Sequence, residues 1–310
     1  MSSVLKAGCT AVITGASSGI GRAAALDFAS RGMNVWMVDI DAEELKEATA
    51  LVEKQQASAS QTIQGRVVDV SDEQAMKNLA DEVFAEGGKC HFLMNNAAVQ
   101  LSVPEGGILG PAGKAAMKTT VDVNLYGPIH GCLAFVPRMK ESGEEAIVVN
   151  TGSKQGITMP PGNLPYNVSK AALKCYTEGL EHDLRNSSAK VRSALLVPGW
   201  VNTSIMLKNS RKEALEKGED FDPDSVFFHE AKPADGAWMP KQLIDFMVEE
   251  LDKGRFYLIA PDNDVDRETD NLRMTWTMQD ITKDRPPLSR WHEDYKDKFS
   301  VFLEENKTKS

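Results

Sequence analysis

The sequence predicts an α/β fold in which a doubly wound parallel sheet carries helices on both faces. Two observations point to this fold. Seven short apolar runs, typical of buried parallel strands, recur along the chain. Helical patterns separate them, and this alternation is what a parallel sheet with right-handed crossovers requires. Such sheets bind ligands at the carboxyl ends of their strands, so residues that follow the strands are candidate site residues.

The elements can be placed in order along the chain. The strands are predicted near residues 9–14, 34–39, 62–69, 90–95, 146–151, 191–197 and 255–260. The helices are predicted near residues 20–31, 41–56, 73–86, 115–140, 166–187 and 240–253. The first strand is a short apolar run, and the helix that follows its glycine-rich turn is rich in alanine.

Length and composition favour one large domain with an extension. Of the 310 residues, 42% are hydrophobic, which is enough to bury a large core. Because α/β folds of about 200–250 residues often form one domain, we predict a single domain over residues 1–260. The extension, residues 261–310, contains Pro286 and Pro287, which break any helix, and too many aromatic residues for a free linker. We expect it to pack on its own subunit or on a neighbour.

Charge and composition argue against several classes of partner. The net charge of −10 disfavours nucleic acid, because phosphate binding needs clustered Lys and Arg. No apolar run approaches the ~18 residues of a membrane span, and residues 1–6 lack the apolar region of a signal peptide. The four cysteines are scattered, so reduced, buried thiols in a cytoplasmic protein are expected. No group of His, Cys and carboxylates has ligand spacing, and we predict no catalytic metal.

Tyr166 and Lys170 are candidates for acid–base chemistry. The four-residue step between them puts both side chains on one face of a helix, one turn apart. An ammonium near a phenol favours the ionised phenol, so its pKa can fall below the unperturbed value of about 10. Interconversion of an alcohol and a carbonyl group needs a group with this property. The pair by itself is equally compatible with a half-buried tyrosine beside a solvated lysine.

The turn at residues 14–21, Thr-Gly-Ala-Ser-Ser-Gly-Ile-Gly, lies between the first strand and the first helix. Small residues there let the backbone approach a pyrophosphate, whose charge the helix N-terminus stabilises. Asp39 ends the second strand, eighteen residues beyond Gly21. A carboxylate at that place accepts hydrogen bonds from the ribose hydroxyls of adenosine and repels a 2′-phosphate. A turn residue at the end of a strand is the alternative interpretation of Asp39.

Together these residues resemble the short-chain dehydrogenase/reductase family, from about residue 8 to residue 260. The family's motifs occur in its order, as Gly15, Gly19 and Gly21, then Asn95-Asn96-Ala97-Ala98, then Asn124, then Ser153, Tyr166 and Lys170, and finally residues 198–203. The resemblance implies a Rossmann-type fold. Ala98 departs from the family's usual glycine and adds a methyl group at a tight turn, which we expect to be tolerated.

The resemblance implies a role for each matching residue. Tyr166 would remove the alcohol proton on oxidation, Ser153 would hold the substrate oxygen, and Lys170 would lower the pKa of the tyrosine and bind the nicotinamide ribose. Asn124 would support a water that links Lys170 to solvent, or would instead bond the local helix backbone. The residues expected to hold the cofactor are Gly15, Ser17, Ser18, Gly19, Ile20, Gly21, Asp39, Asp69, Val70, Asn96, Ala97, Tyr166, Lys170, Pro198, Gly199, Val201 and Thr203.

Asp39 and the residues around it predict NAD as the cofactor, in preference to NADP. Neither Ser17 nor Ser18 is basic, and no Arg or Lys immediately follows Asp39. A 2′-phosphate would therefore meet a carboxylate without a counter-charge. Arg22 follows the last glycine and could face solvent on the helix.

The expected substrate is a secondary alcohol or ketone of hydrophobic or aromatic character. In the family, the region that corresponds to residues 204–239 forms a lid over the substrate, and here it contains Ile205, Met206, Leu207, Phe227, Phe228 and Trp238. The loop 159–164 and Trp200 could form a second wall. Ordinary helix packing explains these apolar residues about as well. The helices near 115–140 and 166–187 carry subunit contacts in relatives, so a homodimer or homotetramer is expected.

Two alternatives stand beside the NAD-dependent alcohol dehydrogenase or carbonyl reductase that these residues predict. One is a non-catalytic, NAD-binding redox sensor, which would need no proton relay. The other is an epimerase or dehydratase on the same fold, which would usually bring a different arrangement of site residues. Net NADH production separates the three, because a sensor binds without turnover and an epimerase recycles its cofactor.

Overall fold

Seven parallel strands form one sheet, in the order β3-β2-β1-β4-β5-β6-β7. The strands are β1 Thr10–Thr14, β2 Asn34–Asp39, β3 Ile63–Val67, β4 Phe92–Asn95, β5 Ala146–Thr151, β6 Val191–Val197 and β7 Tyr257–Ile259. The computed structural model describes residues 2–101, 107–218, 220–222 and 229–307. The order turns back at β1, which pairs with β2 on one side and with β4 on the other. The predicted doubly wound, Rossmann-type sheet is confirmed.

Helices connect the strands and cover both faces of the sheet. They are α1 Gly19–Ser30, α2 Ala42–Glu53, α3 Glu73–Gly87, α4 Pro111–Val121, α5 Gly127–Glu141, α6 Gln155–Thr158, α7 Leu164–Arg185, α8 Ile205–Lys217, α9 Pro240–Asp252, α10 Arg267–Thr282 and α11 Glu293–Asn306. One turn of π-helix, Asp122–Tyr126, joins α4 to α5. The predicted helix near 115–140 is therefore two α-helices around a wider turn.

The core divides into two layers because strand residues alternate between the faces of the sheet. On β1, Ile13 packs into the layer that α1 and α9 cover, where Phe28 meets Phe92 edge to face with ring centroids 4.9 Å apart. Val12, its neighbour, belongs to the opposite layer, which contains Phe135 of α5. All of these side chains are fully buried. The sheet is thus packed on both faces by buried apolar side chains.

Two helices and a buried ion cluster shape the C-terminal segment. The prolines at 286 and 287 separate α10 from α11, and Trp276 of α10 contacts Phe299 and Phe302 of α11 at centroid distances of 5.2 and 5.1 Å. Asp270 of α10 pairs with Lys154 at 2.6 Å. The ring contacts are within the segment, and the Asp270–Lys154 pair joins it to the start of α6.

Some expectations about single segments differ from the structure. Cys175 is exposed, so only three of the four thiols are buried as predicted. Within the predicted lid, residues 205–217 form α8, whereas Phe227 and Phe228 lie outside the described residues. Among the residues that the structure describes, no helix combines the length and apolar content that crossing a bilayer needs.

Candidate active site

Ser153, Tyr166 and Lys170 meet at the carboxyl end of β5. Ser153 follows the last strand residue by two positions, and Tyr166 and Lys170 lie on the first two turns of α7. The Ser153 hydroxyl lies close enough to the Tyr166 phenol to lower the pKa of the tyrosine. The Lys170 ammonium lies 5.6 Å from the centroid of the Tyr166 ring. The three side chains therefore share one small site.

Burial shifts the pKa values of both ionisable groups. Lys170 is 2% exposed, and its Nζ donates to the Thr151 carbonyl at 2.7 Å. Burial lowers the pKa of Lys170 to about 7, so the side chain changes charge near neutral pH. Burial raises the pKa of Tyr166 above its usual value, and the contact with Ser153 offsets part of that rise. Lys170 is therefore not the solvated lysine of the alternative interpretation. The pKa of Tyr166 is raised, whereas we expected Lys170 to lower it.

A glycine packs α6 against α7 at the site. A Cβ on Gly156 would lie 2.6 Å from the carbonyl carbon of Lys170, a distance that real Cβ atoms do not reach. Gly156 therefore lets α6, which begins two residues after Ser153, contact the backbone of Lys170 directly. Sequence reasoning did not find Gly156, although its place three residues after Ser153 is a usable signal.

Asn124 lies at the centre of the π-helical turn and is fully buried. Its Oδ1 accepts from the Val99 amide, and its Nδ2 donates to the Val99 carbonyl, both at 2.8 Å. Nδ2 also lies 3.2 Å from the Ser169 hydroxyl, next to Lys170. Asn124 therefore joins the loop after β4 to α7 and does not bond its local helix backbone. Turns of this width occur frequently at functional sites.

The glycine turn between β1 and α1 fits a bound dinucleotide. A Cβ on Gly21 would lie 2.2 Å from the Gly15 carbonyl, and one on Gly15 would lie 2.8 Å from the Cα of Ala97. Gly15 and Gly19 also have φ of +66° and +54°, which favour glycine. Ser18 is the N-cap of α1, and Ile20 packs against the core. The turn thus presents bare backbone at a helix N-terminus, the arrangement that binds a pyrophosphate.

Asp39 bonds the glycine turn from the end of β2. Its Oδ2 accepts from the Ser17 amide at 3.0 Å, and its Oδ1 accepts from the amides of Ile40 at 2.8 Å and Asp41 at 3.2 Å. These bonds are those of a strand-end turn residue. They also hold the carboxylate beside the glycine turn.

A basic side chain reaches the same corner from the predicted lid. Lys208 of α8 pairs with Glu44 of α2, and its Nζ donates to the Ser17 hydroxyl at 3.2 Å. The Ser17 hydroxyl in turn lies 3.3 Å from Glu44 Oε2. The expectation that no counter-charge lies near Asp39 is therefore wrong. Sequence reasoning missed Lys208 because 191 positions separate it from Ser17.

The segment after β4 crosses the end of β1. The Thr14 hydroxyl accepts from the amides of Asn96 at 2.9 Å and Ala97 at 3.1 Å. The Asn96 side chain donates to the Thr14 carbonyl at 3.2 Å and accepts from the Thr151 hydroxyl at 3.3 Å. These bonds draw Asn96 and Ala97 towards the glycine turn and towards the strand that leads to Ser153.

A chain of buried side chains lies beneath this segment. Asn95 Nδ2 donates to Asn150 Oδ1 at 2.9 Å, and Asn150 Nδ2 donates to the Thr177 hydroxyl at 3.0 Å. Thr177 donates onward to the Leu173 carbonyl at 2.7 Å. The ends of β4 and β5 are thereby bonded to α7.

The remaining expected cofactor residues lie at the ends of β3 and β6. Asp69 is exposed and accepts from the Ser71 amide at 2.9 Å and the Ser71 hydroxyl at 2.7 Å, whereas Val70 is buried. Pro198 follows β6 directly and is also buried.

The segment 198–203 returns towards the glycine turn. A Cβ on Gly199 would lie 2.7 Å from Asp262 Oδ2 and 2.9 Å from the Pro261 carbonyl oxygen, so a larger residue there would displace these groups. Val201 is buried and bridges to Trp238. Thr203 faces the glycine turn, because its Cβ lies 3.2 Å from where a Cβ on Gly19 would be. Among the described residues, no three His, Cys, Asp or Glu side chains are grouped to hold a metal ion.

The chain is similar to proteins of one family over most of its length. The family model for short chain dehydrogenases matches residues 9–214. The oxidoreductase SadH of Mycobacterium tuberculosis is 32% identical over 224 residues, which are 71% of this chain and 75% of that protein. The 1-deoxy-11-beta-hydroxypentalenate dehydrogenase of Streptomyces exfoliatus is 32% identical over 203 residues, which are 63% of this chain and 68% of the relative.

Solved structures agree with the sequence matches. The structure of a short-chain dehydrogenase/reductase from Burkholderia phymatum in complex with NAD superimposes with a TM-score of 0.76 at 29% identity, covering 92% of this chain and 97% of the other. Other matching structures include a complex with NADP. From the match over residues 9–214, the chain belongs to the short-chain dehydrogenase/reductase family of oxidoreductases.

Proposed function

We propose that the protein interconverts a secondary alcohol and a ketone with NAD, and that Tyr166 is its acid–base group. The observation that carries this proposal is the contact between the Ser153 hydroxyl and the Tyr166 phenol, one helical turn from the buried ammonium of Lys170. A donor, an acid–base group and a cation at one strand end are the groups that carbinol oxidation needs.

The chain's own residues hold the substrate oxygen and move its proton. Ser153 donates a hydrogen bond to the oxygen and keeps it beside the phenol. On oxidation, Tyr166 takes the hydroxyl proton while the carbinol carbon loses a hydride and becomes a carbonyl carbon. On reduction, Tyr166 returns the proton to the oxygen. Bound NAD supplies the hydride acceptor or donor.

Lys170 and Asn124 support the proton transfer. Because its pKa is about 7, Lys170 can gain or lose a proton as the phenol does the opposite. Asn124 fixes the backbone at Val99 and contacts Ser169, the residue before Lys170. We propose that Asn124 holds the start of α7 at a constant distance from the loop after β4.

The glycine turn and Asp39 are the proposed cofactor site. The backbone of residues 15–21 would approach the pyrophosphate, and Asp39 would accept hydrogen bonds from the adenosine ribose. The two clashes that a Cβ would make at Gly15 and Gly21 support a turn built for close approach. The proposed preference for NAD over NADP rests on the charges around Ser17. Two carboxylates, those of Asp39 and Glu44, would repel a 2′-phosphate, and the ammonium of Lys208 would attract it.

The proposed substrate is apolar near its reacting carbon. Ile205, Met206 and Leu207, on the first turn of α8, are partly buried. Leu164 is 46% exposed at the start of α7. Trp238 packs against Phe246, at a centroid distance of 5.9 Å, so ordinary packing accounts for this residue. The Streptomyces relative is named as a dehydrogenase of a hydroxy compound, which is consistent with this class of substrate.

A screen of secondary alcohols with NAD⁺, read as NADH absorbance, tests the proposal. We expect net NADH with at least one apolar alcohol. Tyr166→Phe should lower kcat by a factor of about 10³ while the Kd of NADH stays within about twofold, because the phenol serves the chemical step. NADH binding without turnover across the screen would instead favour a redox sensor, and product isomerisation without net NADH would favour an epimerase.

A further inference from the structure

A tight turn in the predicted lid presents a carboxylate to the glycine turn. His229 and Lys232 exchange two backbone hydrogen bonds, of 3.0 and 2.9 Å, and Glu230 lies inside the turn that they close. We call residues 229–232 the lid turn. Sequence reasoning did not single out Glu230, because its partner Gly19 is 211 positions away.

Both oxygens of Glu230 bind groups at the start of α1. Oε1 accepts from the Gly19 amide at 2.6 Å, and Oε2 pairs with the Arg22 guanidinium. Gly19 is the first residue of the helix, and Arg22 lies one turn further along. One carboxylate oxygen thus bonds an N-terminal amide while the other bonds a cation. Phosphate oxygens bind helix N-termini in the same way.

The segment that follows the lid turn is held in place by residues after β6. The Asn202 side chain accepts from the Ala234 amide at 2.9 Å and donates to the Ala234 carbonyl at 3.3 Å. Trp238 exchanges backbone bonds of 2.9 Å with Trp200 and Asn202. These partly buried bonds tie the segment after the lid turn to residues that follow β6. The lid turn itself is held by the Glu230 contacts, whose side chains are 20% and 31% exposed.

We propose that Glu230 is a determinant of cofactor affinity, and that it competes with the cofactor's pyrophosphate for the Gly19 amide and Arg22. This inference rests on the proposed NAD-dependent function. A carboxylate and a pyrophosphate cannot share these donors, because like charges at hydrogen-bonding distance repel strongly. Binding of the cofactor therefore requires Glu230 to leave, and the lid turn moves with it. The cost of that departure lowers the observed affinity.

Glu230→Gln tests the competition, because glutamine keeps the size and the acceptor but loses the charge. We expect the Kd values of NAD⁺ and ADP, measured by titration calorimetry, to fall about tenfold. The Kd of adenosine, which has no phosphate, should stay unchanged. Glu293→Gln, at an exposed residue on α11, makes the same change in net charge and should leave all three Kd values unchanged.

Hydrogen exchange gives a second readout that needs no catalysis. ADP should speed exchange of the backbone amides of His229 and Lys232 in the wild type, and Glu230→Gln should show fast exchange without ADP. An unchanged or weaker affinity for ADP in Glu230→Gln would overturn the inference while leaving the proposed function intact. If neither the wild type nor Glu230→Gln binds NAD⁺ or ADP, the proposed function fails. Binding by Glu230→Gln alone would support the competition in its strongest form.

Discussion

At the scale of single residues, burial sets the chemistry of Tyr166 and Lys170. The same low-polarity surroundings disfavour both charged forms, so the pKa of the phenol rises and that of the ammonium falls to about 7. The two pKa values move apart from their ordinary values of 10.0 for the phenol and 10.5 for the ammonium, so both side chains can be uncharged just above neutral pH. Ser153 is the side chain that opposes the rise at the phenol.

The pH dependence of oxidation should therefore respond to Ser153. Oxidation needs the ionised phenol, so its rate rises with pH through the pKa of Tyr166. Removing the hydroxyl in Ser153→Ala removes a contact that lowers this pKa, so the rising limb should move to higher pH. Single-turnover rates measured to pH values above 10 give the shift, because burial already raises the pKa of Tyr166 above its usual value. If the rate in Ser153→Ala rises over the same pH range as in the wild type and only its maximum is lower, Ser153 serves substrate binding and does not set the pKa of Tyr166.

The corner at Asp39 offers a second residue-scale prediction. Glu44 pairs with Lys208, and without it the ammonium becomes available to a 2′-phosphate. Glu44→Gln should lower the Kd of NADP⁺ about fivefold, with a smaller change for NAD⁺. Glu43→Gln, which removes an exposed neighbouring charge on the same turn, is the control. Equal effects of the two substitutions on the Kd of NADP⁺ would contradict this prediction, because they would show that net charge, and not the release of Lys208 from Glu44, changes the affinity.

At the scale of elements, strands were predictable and long-range contacts were not. The apolar run 34–39 is β2 to the residue, because a strand buried on both faces has a local signature. Ser153, Tyr166 and Lys170 were recognisable from spacing. The contacts of Lys208 and Glu230 with the glycine turn depend on how the lid folds back over the sheet edge, and no local pattern encodes that path. The π-helical turn at Asn124 also lacks a signal, because helical periodicity continues through it.

The C-terminal helix α10 supports the start of α6 through buried charges. Lys154, the residue after Ser153, lies between Asp270 at 2.6 Å and Asp262 at 3.2 Å. Burial raises the pKa of the Asp270 carboxyl, and Lys154 opposes that rise. We propose that this ion cluster positions Ser153. The packing of residues 261–310 is thus connected to the proposed site.

Breaking the cluster should affect both stability and catalysis. Asp270→Asn leaves Lys154 with one partner, and we expect a loss of about 3 kcal/mol in the free energy of unfolding. The kcat should fall several-fold with the NADH Kd unchanged, because Ser153 loses its support. Urea unfolding and steady-state kinetics measure the two effects. Asp297→Asn, at an exposed residue of α11, is the control. Normal kcat in a destabilised Asp270→Asn would limit the cluster to a structural role.

At the scale of the whole molecule, apolar side chains remain exposed on two neighbouring helical segments. Tyr126 is 48% exposed, Leu133 lies two helical turns further on at 57%, and Val168 of α7 is 40% exposed. We propose that these residues meet a second copy of the chain, as a homodimer or homotetramer. Burying such side chains releases apolar surface from water, which favours association.

A charge in this face should dissociate the oligomer. Leu133→Asp is expected to lower the mass measured by sedimentation equilibrium towards that of one chain. Leu51→Asp, at a similarly exposed leucine of α2, should leave the mass unchanged. A wild-type protein that sediments as a single chain across the concentration range would contradict the proposal.

The buried hydrogen bonds from Asn95 through Asn150 to Thr177 connect β4 and β5 to α7 and so restrain one side of the proposed site. Breaking such buried bonds without replacing them is costly, so they restrain α7 against the sheet. Tyr166 and Lys170, which lie on α7, are therefore held in place relative to the sheet. Helix α8 and the lid turn are instead attached to α2 and α1 by partly exposed ion pairs, Lys208–Glu44 and Glu230–Arg22, which water can replace. We propose that substrate enters and product leaves by movement of α8 and the lid turn.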